Sequence, residues 1–395
     1  MEPKEPRAAG PRCAPKACQP AMLAFLAVAL AAPLAGSLMA CEDKKPTTEA
    51  AKGDGGAGAD KLASADPKLA KALQAAASAS AGNDTGPPPA GVFTDGAADH
   101  RHPKGAPTKV EIVTDGTAPK VTLAPAADAA TDAARATSYG LAGLETMAVQ
   151  SGHPTPAIDF TLMLGPAKKE DGGSDVLVAT VKAAKPAQQQ LGQLPAGLGS
   201  AIATLQGTEF RMKVTPDGRE SDMATSLGKS ARPELDSLAQ DAAEALVVDT
   251  VPLPDRPVGI GAQWIAETRM KMQGIDVIAY RAYRIKGIDG DRLHLTLDVK
   301  AYAADKNVQV QGLPEGSNLE QFEGEAQGEL DLVRGEILAR KADVKQQIVL
   351  VFSGPGGPTA PQQPGQPPGN LLTAQVQGQA TLVRGDDLRQ ALKQP

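Results

Sequence analysis

Alternating apolar and polar residues, interrupted by short turn sequences, restrict the fold of this chain more than any other feature of its sequence. The pattern starts near residue 108 and continues almost to the end of the 395-residue chain. It is clearest in Arg292–Ala303, which follows an Asp289-Gly290 turn. Because successive side chains of a strand point to opposite faces of a sheet, this pattern indicates antiparallel strands with one buried face. We therefore predict a mainly β fold over residues 108–390, a large, curved, half-barrel-like antiparallel sheet.

Turn residues divide this region into strands. Pro216-Asp217-Gly218 is a strong turn signal, and Asp115-Gly116 and Arg334-Gly335 each predict a hairpin. In the first half, the predicted strands cover residues 109–113, 120–123, 136–150, 157–164, 176–182, 209–214 and 219–225. In the second half, they cover residues 263–272, 277–286, 292–303, 324–333, 336–352 and 372–383.

The Asp289-Gly290 turn also predicts a strand register. With a two-residue turn, Tyr280 faces Val299, Arg281 faces Asp298 and Ala282 faces Leu297. The predicted core face then carries Ile278, Tyr280, Leu293, Leu295, Leu297 and Val299. The predicted wetter face carries Arg281, Tyr283, His294, Thr296 and Asp298. A longer loop or a bulge would shift this register by one residue.

Two helical segments interrupt the strands and are predicted to pack on the sheet. Residues 188–205 carry apolar residues at helical spacing, although Pro195 and Gly197 make the segment irregular. Residues 233–246 begin with Pro233, which suits a first helical turn. Their apolar stripe, which we interpret as core, consists of Leu235, Leu238, Ala242 and Ala245.

Two segments are too rich in Gly, Pro and small polar residues to form a core. Residues 41–107 include Gly86-Pro87-Pro88-Pro89, and residues 353–370 are dense in Pro, Gly and Gln. Such compositions bury too little apolar surface to offset the entropy lost on ordering. We predict a disordered tether at 41–107 and a disordered insert at 353–370 within the β domain.

The first forty residues have the three regions of a signal peptide. Basic residues precede an apolar run at residues 21–35, which is shorter than the roughly 20 residues of a membrane-spanning helix. Leu38-Met39-Ala40-Cys41 follows and resembles the bacterial lipobox. The resemblance implies removal of residues 1–40 by cleavage after Ala40, acylation of Cys41 and a stable lipid anchor in a membrane. An ordinary secretory signal and an uncleaved anchor are the alternatives.

Cysteine content and charge narrow the function classes. Cys13, Cys18 and Cys41 are the cysteines of the chain, and only Cys41 remains after cleavage. An acylated Cys41 leaves no thiol for a disulfide, a metal site or a nucleophile. The net charge of −6, with both signs interspersed, argues against a nucleic-acid partner, which favours a basic surface.

Residues 252–352 resemble an uncharacterised family of bacterial envelope lipoproteins that carry a domain of unknown function. The resemblance rests on a Pro-Val-x-x-Gly-x-x-Trp entry motif, present as Pro257-Val258, Gly261 and Trp264. A Gly-rich strand follows, and an Asp-x-x-x-Gly turn, Asp331 to Gly335, ends it. The family implies no activity and no site residues. The predicted half-barrel also resembles periplasmic lipoprotein carriers, in architecture alone.

Short motifs of catalytic or metal-binding type are present but incomplete. His100-Arg101-His102 lies in the predicted tether, and His153 and His294 are isolated, so we predict no metal site. Ser226-Leu227-Gly228-Lys229 matches the Ser-x-x-Lys of penicillin-binding enzymes, but their Lys-Thr-Gly element is missing. Gly228-Lys229-Ser230 lacks the first glycine of a phosphate loop, because Met223 occupies that position. We therefore predict no catalytic residue, no cofactor and no enzyme.

Aromatic residues are scarce, which makes each of them informative. Trp264 is the only tryptophan, and we interpret it as an anchor of the core. A ligand-stacking role is the alternative. The same two interpretations apply to Tyr280, Tyr283 and Tyr302.

Together these features predict a bacterial envelope lipoprotein of unknown specific function, anchored to a membrane through Cys41. The outer membrane is favoured over the inner one, because Glu42 does not match the best-known inner-membrane retention signal. The β domain, in the periplasm or at the cell surface, is predicted to be a non-catalytic binding module for a lipid, peptide or protein. The alternative is a structural or assembly lipoprotein that acts through protein–protein contacts at an exposed apolar patch. An unrecognised hydrolase would need polar residues that converge in a cleft.

Overall fold

The computed structural model of the chain describes residues 71–73, 88–124, 140–150, 153–154, 156–166, 175–187, 196–308, 317–354 and 371–391. Strands dominate these residues, which confirms the predicted mainly β class. In chain order the strands are β1 (Lys109–Thr114), β2 (Thr117–Val121), β3 (Gly140–Gln150), β4 (His153–Pro154), β5 (Ile158–Pro166), β6 (Asp175–Pro186), β7 (Glu209–Val214), β8 (Glu220–Ser226), β9 (Val258–Ile260), β10 (Gln263–Met272), β11 (Ile275–Asp289), β12 (Arg292–Ala303), β13 (Asn318–Val333), β14 (Lys341–Ser353) and β15 (Leu371–Arg384).

Nearly all of these strands belong to one large antiparallel sheet, as predicted. Its strand order is β1-β10-β11-β12-β13-β14-β15-β3-β5-β6-β7-β8, and β4 pairs with β3. The sheet consists of two runs of sequential hairpins, which meet where β15 pairs with β3. The remaining strands, β2 and β9, form a separate two-stranded sheet.

The two edges of the large sheet come together at one point, because the sheet is strongly curved. Thr108, just before β1, donates its N–H to the carbonyl of Glu220 in β8 over 2.9 Å. The Thr108 hydroxyl also lies 2.9 Å from the hydroxyl of Thr268 in β10. One cluster of buried apolar side chains lines the side of the sheet that we call the inner face, and the opposite side is the outer face. Members of this cluster include Leu144, Leu162, Met212, Trp264, Leu295, Leu330 and Val344.

Besides a helical stretch at residues 71–73, the α-helices of the described residues are α1 (Ala97–Arg101), α2 (Leu198–Ala203), α3 (Asp236–Val248) and α4 (Asp386–Ala391). A 3₁₀ turn at Pro233–Leu235 leads into α3, in agreement with the predicted helix at 233–246. α2 lies within the other predicted helical segment, residues 188–205, of which residues 188–195 are outside the described residues. Both helices contribute buried side chains to the inner-face cluster, so the prediction that they pack on the sheet is confirmed.

Two details of the predicted strand pairing were wrong. β1 and β2 do not form a hairpin with each other, because β1 pairs with β10 and β2 with β9. β13 and β14 do pair as a hairpin, but β14 begins at Lys341 instead of residue 336. The residues before β14 fold inward instead, and Glu336 forms ion pairs there with Arg340 and Arg384.

The register of the β11–β12 hairpin also differs from the predicted one. Asp289 pairs with Arg292 across the turn, which displaces the pairs next to the turn by two residues from the predicted register. A bulge between Ile285 and Gly287 then returns the pairs beyond it by one residue, so a displacement of one residue remains there. Tyr280 therefore pairs with Lys300 instead of Val299. The other predicted pairs are displaced in the same way, so that Arg281 pairs with Val299 and Ala282 with Asp298. The bulge is a local irregularity that alternation alone does not reveal.

The displaced register redistributes the side chains between the two faces. The predicted core residues Leu293, Leu295, Leu297 and Val299 are buried on the inner face, as expected. Ile278 and Tyr280 lie on the outer face instead, where a second buried cluster covers them. Arg281 and Tyr283, which were predicted to be wetter, are fully buried on the inner side. His294 and Thr296 are half-buried, whereas Asp298 is buried.

Residues 88–107, which we call the arm, are folded, so this part of the tether prediction was wrong. The arm packs Phe93 against Tyr302 on the outer face, with ring centroids 6.2 Å apart. Its Arg101 guanidinium lies 5.2 Å from the centre of the Tyr280 ring. His102 is fully buried, with Nδ1 3.2 Å from the carboxylate of Glu267. A few aromatic and charged residues thus suffice to order a segment whose average composition predicts disorder.

Several predictions fall on residues that the structure does not describe. They are the signal peptide at 1–40 with its cleavage after Ala40, the acylation of Cys41, most of the tether before residue 88, and residues 355–370 of the insert. Within the described part of the chain, no helix has the length and apolar character needed to cross a membrane.

Candidate functional site

A groove lies between α3 and the inner face of the sheet. It has a cavity volume of about 50 Å³ and is partly open to solvent. α3 forms one wall, and β3, β10, β12, β13, β14 and β15 contribute to the other. Most of the lining is apolar and includes Leu238, Val248, Met270, Met272, Val299 and Val344. The two methionines are flexible and polarizable, so this wall can adapt to a ligand.

α3 lies close to the sheet because small residues face inward. Ala239, Ala242 and Ala243 are almost completely buried, and the helix contacts β3, β8 and β10. Alanine also has the highest intrinsic helix propensity, so the same residues favour the helix and permit its close approach. The groove remains where the sheet curves away from this helix.

Glu244 holds the middle of α3 to the turn between β10 and β11. Its carboxylate accepts hydrogen bonds from the N–H of Gln273 at 2.7 Å and of Gly274 at 3.2 Å. Burial, and next the neighbouring Asp241 carboxylate, raise the pKa of Glu244 to about 7. Asp241 accepts a hydrogen bond from the Gln273 amide at 3.2 Å, and burial raises its pKa to about 6. Both oxygens of Glu244 are therefore used to hold the backbone of the turn.

Arg281 holds the C-terminal end of the same helix. Its guanidinium donates to the carbonyl of Val247 at 2.8 Å and to that of Thr250 at 3.1 Å. A cation at this end complements the negative end of the helix dipole. Arg281 also forms an ion pair with Glu220 and donates to the Thr268 hydroxyl at 2.8 Å. This cluster thus joins α3 to the edge strand β8 and to β10 and β11.

Glu244 and Arg281 hold α3 in place, and we call them its clamps. Asp249, the residue that caps the C-terminus of α3, differs from both. It lines the groove and is fully buried. Neither of its carboxyl oxygens has a hydrogen-bond partner within the described ranges. Burial alone raises the pKa of Asp249 well above its usual range. A polar group in this state is costly unless something else supplies a partner.

The arrangement is suited to binding. The apolar walls offer contact to an aliphatic group, and Asp249 offers an unused carboxyl at the buried end. Asp241 is half-buried, whereas Glu244 and Asp249 are buried. Eight residues of α-helix span about 12 Å, so Asp241 and Asp249 lie about that far apart along the groove wall formed by α3.

The residues singled out from the sequence lie elsewhere. Ser226 and Lys229 are exposed at the end of β8, and His153 is in β4. His294 lies between Asp331 at 2.7 Å and Asp289 at 3.1 Å, and these hydrogen bonds raise its pKa.

The four aromatic residues singled out from the sequence also lie outside the groove lining. Trp264 is fully buried, stacks on Tyr283 at 5.3 Å and donates to the carbonyl of Pro252 at 2.8 Å. Tyr280 and Tyr302 are buried under the arm. All four therefore serve packing. Over the part of the chain that the structure describes, no group of three or more His, Cys, Asp or Glu side chains could hold a metal ion.

Sequence reasoning missed the acidic residues of the groove. The apolar stripe of α3 was identified, but Glu244 and Asp249 were not separated from the solvated acids of other segments. Nothing in their sequence context shows that they are buried, because the burying residues come from strands far away in the chain. The one available signal is that Glu244 precedes Ala245, a member of the stripe.

Comparison with known proteins adds no functional assignment. No protein-family model matches the chain, and no curated protein matches it. The family resemblance of residues 252–352 therefore remains a prediction.

Proposed function

We propose that the β domain is a non-catalytic binding module and that its ligand enters the groove between α3 and the inner face. The observation that carries the proposal is Asp249, a buried carboxyl without a hydrogen-bond partner among the described residues, at the end of an apolar groove. An unsatisfied buried polar group costs about 1–3 kcal/mol. A ligand that supplies the missing partner recovers this free energy on binding.

The size of the groove favours a slender ligand. Its volume of about 50 Å³ is small beside the roughly 150 Å³ of an engineered cavity that holds benzene. A narrow aliphatic group fits such a space, whereas a whole lipid requires α3 to move away. The clamps at Glu244 and Arg281 hold α3 in place, which supports the narrower ligand.

We propose in addition that Cys41 anchors this module to a bacterial envelope membrane. The lipobox-like sequence ending at Cys41 supports this part of the proposal. Mass spectrometry of the full chain from its native membrane tests it by measuring the N-terminal mass. A diacylglyceryl-modified Cys41 at the new N-terminus is expected, and an unmodified Cys41 would contradict the anchor. Cys41→Ala should abolish both cleavage after Ala40 and membrane retention.

A direct test of the groove uses methyl NMR on the full chain in lipid nanodiscs, with ¹³C-labelled methionine. Hexan-1-ol is the probe, because it is a neutral, slender aliphatic molecule. Met270 and Met272 line the groove, so we expect their methyl signals to shift on titration. Met163 is exposed at the outer face and serves as the internal control.

Two matched variants localise the effect. Ala380→Phe fills the groove from its partly exposed floor, so the shifts of Met270 and Met272 should disappear. Thr161→Phe places the same side chain on an exposed position of β5 and should leave the shifts unchanged. Equal shifts at Met163, or shifts that persist in Ala380→Phe, would contradict binding in the groove.

A structural lipoprotein is the second candidate. Leu141 and Met163 face each other on β3 and β5, and their side chains are 45% and 39% exposed. This apolar pair supports a protein contact on the outer face. Leu141→Ser should then abolish self-association or partner association without changing the hexanol shifts. If groove binding fails and Leu141→Ser disrupts assembly, the structural function is the better one.

A further inference from the structure

The ionisable residues near the buried end of the groove are all acidic. Asp241, Glu244 and Asp249 all project from α3 or its C-terminal cap into the lining. Lys271 is the basic residue of the lining, and it is exposed. Arg281 is nearby but is occupied by Glu220 and by helix carbonyls. The buried end of the groove is therefore complementary to a cation.

Asp249 distinguishes the buried end of the groove from an ordinary cluster of acidic residues. The other two acids have partners in the turn between β10 and β11, whereas both oxygens of Asp249 lack one within the described residues. Burial favours the neutral form of Asp249, but an ammonium group beside it favours the ionised carboxylate. The two unused oxygens of that carboxylate can accept hydrogen bonds from the ammonium group, which carries three donors. Such charge-assisted hydrogen bonds are roughly twice as strong as neutral ones.

We infer that the groove takes the lysine side chain of a partner polypeptide, with the ammonium group at Asp249 and the methylenes between Met270, Met272 and Val344. The inference rests on the proposed binding function and names its ligand class. Four methylenes followed by an ammonium group match a narrow apolar channel that ends in a carboxyl. The ligand enters with its charged end first, so it needs no large apolar chamber.

The entrance of the groove favours a polypeptide over a free alkylamine. Thr146 and Gln346 belong to its lining and are half-buried, so their hydroxyl and amide groups can reach a backbone at the rim. A free amine gains nothing from these groups. The same lysine side chain on a peptide therefore binds through the groove and through its own main chain.

The first experiment compares charge at constant shape. Hexylammonium, hexan-1-ol and hexanoate are titrated into the full chain in nanodiscs, and the Met270 and Met272 methyl signals are followed. One added charge-assisted hydrogen bond should lower the half-saturating concentration of hexylammonium about tenfold below that of hexanol. Hexanoate should produce no groove shift, because the acids repel it. Equal binding of all three probes would overturn the inference and leave the proposed function intact.

The variant Asp249→Asn tests the assigned carboxyl. It should remove the preference for hexylammonium over hexanol while the hexanol shifts remain. Asp222→Asn, the same change at an exposed position of β8, is the control and should retain the tenfold preference. If Asp249→Asn does not fold, Asp241→Asn at the groove entrance should still reduce the preference. A preference that survives in both groove variants would contradict the assignment.

The last comparison separates the two sources of the ammonium group. A blocked Gly-Gly-Lys-Gly-Gly peptide is titrated beside the same peptide with norleucine, which has an aliphatic side chain without the charge. The lysine peptide should bind more tightly than both the norleucine peptide and hexylammonium. Tighter binding of hexylammonium than of the lysine peptide would overturn the polypeptide partner. No groove shift with any probe, hexanol included, would remove the proposed function as well.

Discussion

Two buried ionisable groups near the C-terminal end of α3, Arg281 and Asp249, differ in how many hydrogen-bond and ion-pair partners surround them. Arg281 is fully buried but has an ion pair with Glu220, two helix carbonyls and the Thr268 hydroxyl. Asp249 is equally buried and has no side-chain partner in the described part of the chain. Both groups lie next to Thr250 in sequence or in space. Arg281 thus has several partners, although its Nε and Glu220 Oε2 lack a hydrogen bond within the described residues, whereas neither carboxyl oxygen of Asp249 has a partner there.

This difference distinguishes a charged group that stabilises the fold, Arg281, from one that is available to bind a ligand, Asp249. Burying a charge is costly, and a partner offsets the cost only where its geometry is good. The Arg281 cluster meets that condition and joins distant parts of the chain. Asp249 stabilises nothing that we can identify, which is the behaviour expected of a binding group. Substitutions at the two positions should therefore differ in both the size and the sign of their effects.

The largest effect should come from Arg281→Met. The substitution keeps a long side chain but leaves Glu220 as a buried carboxylate without its cation, which costs about 3–5 kcal/mol. Urea denaturation followed by circular dichroism measures the loss. The double variant Arg281→Met with Glu220→Gln should lose less than the single variant, because it leaves no unpaired charge. A loss below about 1 kcal/mol for the single variant would show that the cluster does not hold the fold.

The second effect is a pH dependence of stability that originates at Glu244. Its pKa is raised from 4.5 to about 7 in the folded chain, so the folded state binds the proton more tightly than the unfolded state. The resulting stabilisation is complete below pH 4.5 and is lost as the pH rises through about 7. Because a tenfold difference in proton affinity corresponds to about 1.4 kcal/mol, the loss is roughly 3 kcal/mol. Asp241 raises the pKa of Glu244 further, whereas Lys271 and the N–H groups of the turn lower it.

Glu244→Gln should flatten this dependence. The free energy of unfolding, measured in urea between pH 5 and pH 8, should decrease less with pH than in the unmodified chain. Glu234→Gln removes an exposed carboxyl just before the same helix and is the matched control. An unchanged slope in Glu244→Gln would assign the pH dependence to another group.

Asp249→Asn should have a smaller effect of the opposite sign. No hydrogen bond of the side chain is lost, and a buried charge is avoided at high pH. Because the pKa of Asp249 is raised in the folded chain, the gain should be present at pH 8 and vanish below pH 4. We expect a gain of about 1 kcal/mol at pH 8, from the same urea measurement. A loss of stability at pH 8 would reveal a structural role and weaken the contrast with Arg281.

The smallest effect should follow from Lys286→Ala. Lys286 in β11 and Glu329 in β13 form an ion pair of 3.0 Å across the intervening strand β12, but both side chains are more than half exposed. Solvent and salt screen such pairs, so the loss should stay below about 1 kcal/mol. This variant gives the free-energy loss for removing an exposed cation from the same sheet, against which the loss for the buried Arg281 is compared. A loss comparable to that of Arg281→Met would mean that burial is not the deciding variable.

Much of the sheet could be predicted from local sequence, including several hairpins, but the register and the pairing between distant strands could not. Alternation placed most strands within a few residues, and the stripe from Leu235 to Ala245 placed α3. The register of β11 and β12 failed, because the bulge and the shifted turn leave no mark in the apolar pattern. The β1–β2 hairpin failed because β10 offers β1 a longer partner than β2 does.

In the groove, the difference between what local sequence predicts and what contacts between distant residues decide is larger still. The alanines that let α3 approach the sheet could be read from the sequence, and so could the acidic residues beside them. That Glu244 meets Gln273 while Asp249 meets no partner could not, since these outcomes depend on residues far apart in the chain. The arm is a similar case, because its order depends on Tyr280 and Tyr302, about two hundred residues later in the sequence.

By itself, the sequence determined that antiparallel strands with an apolar face dominate the described parts of residues 108–390, and that α3 carries an apolar stripe. These are consequences of side-chain alternation and helical periodicity, which act between near neighbours. Only the tertiary structure decided that β15 pairs with β3, that Thr108 meets Glu220 and that α3 covers the inner face. It alone decided which buried charges have partners, because a partner is set by the way distant strands pack together in space.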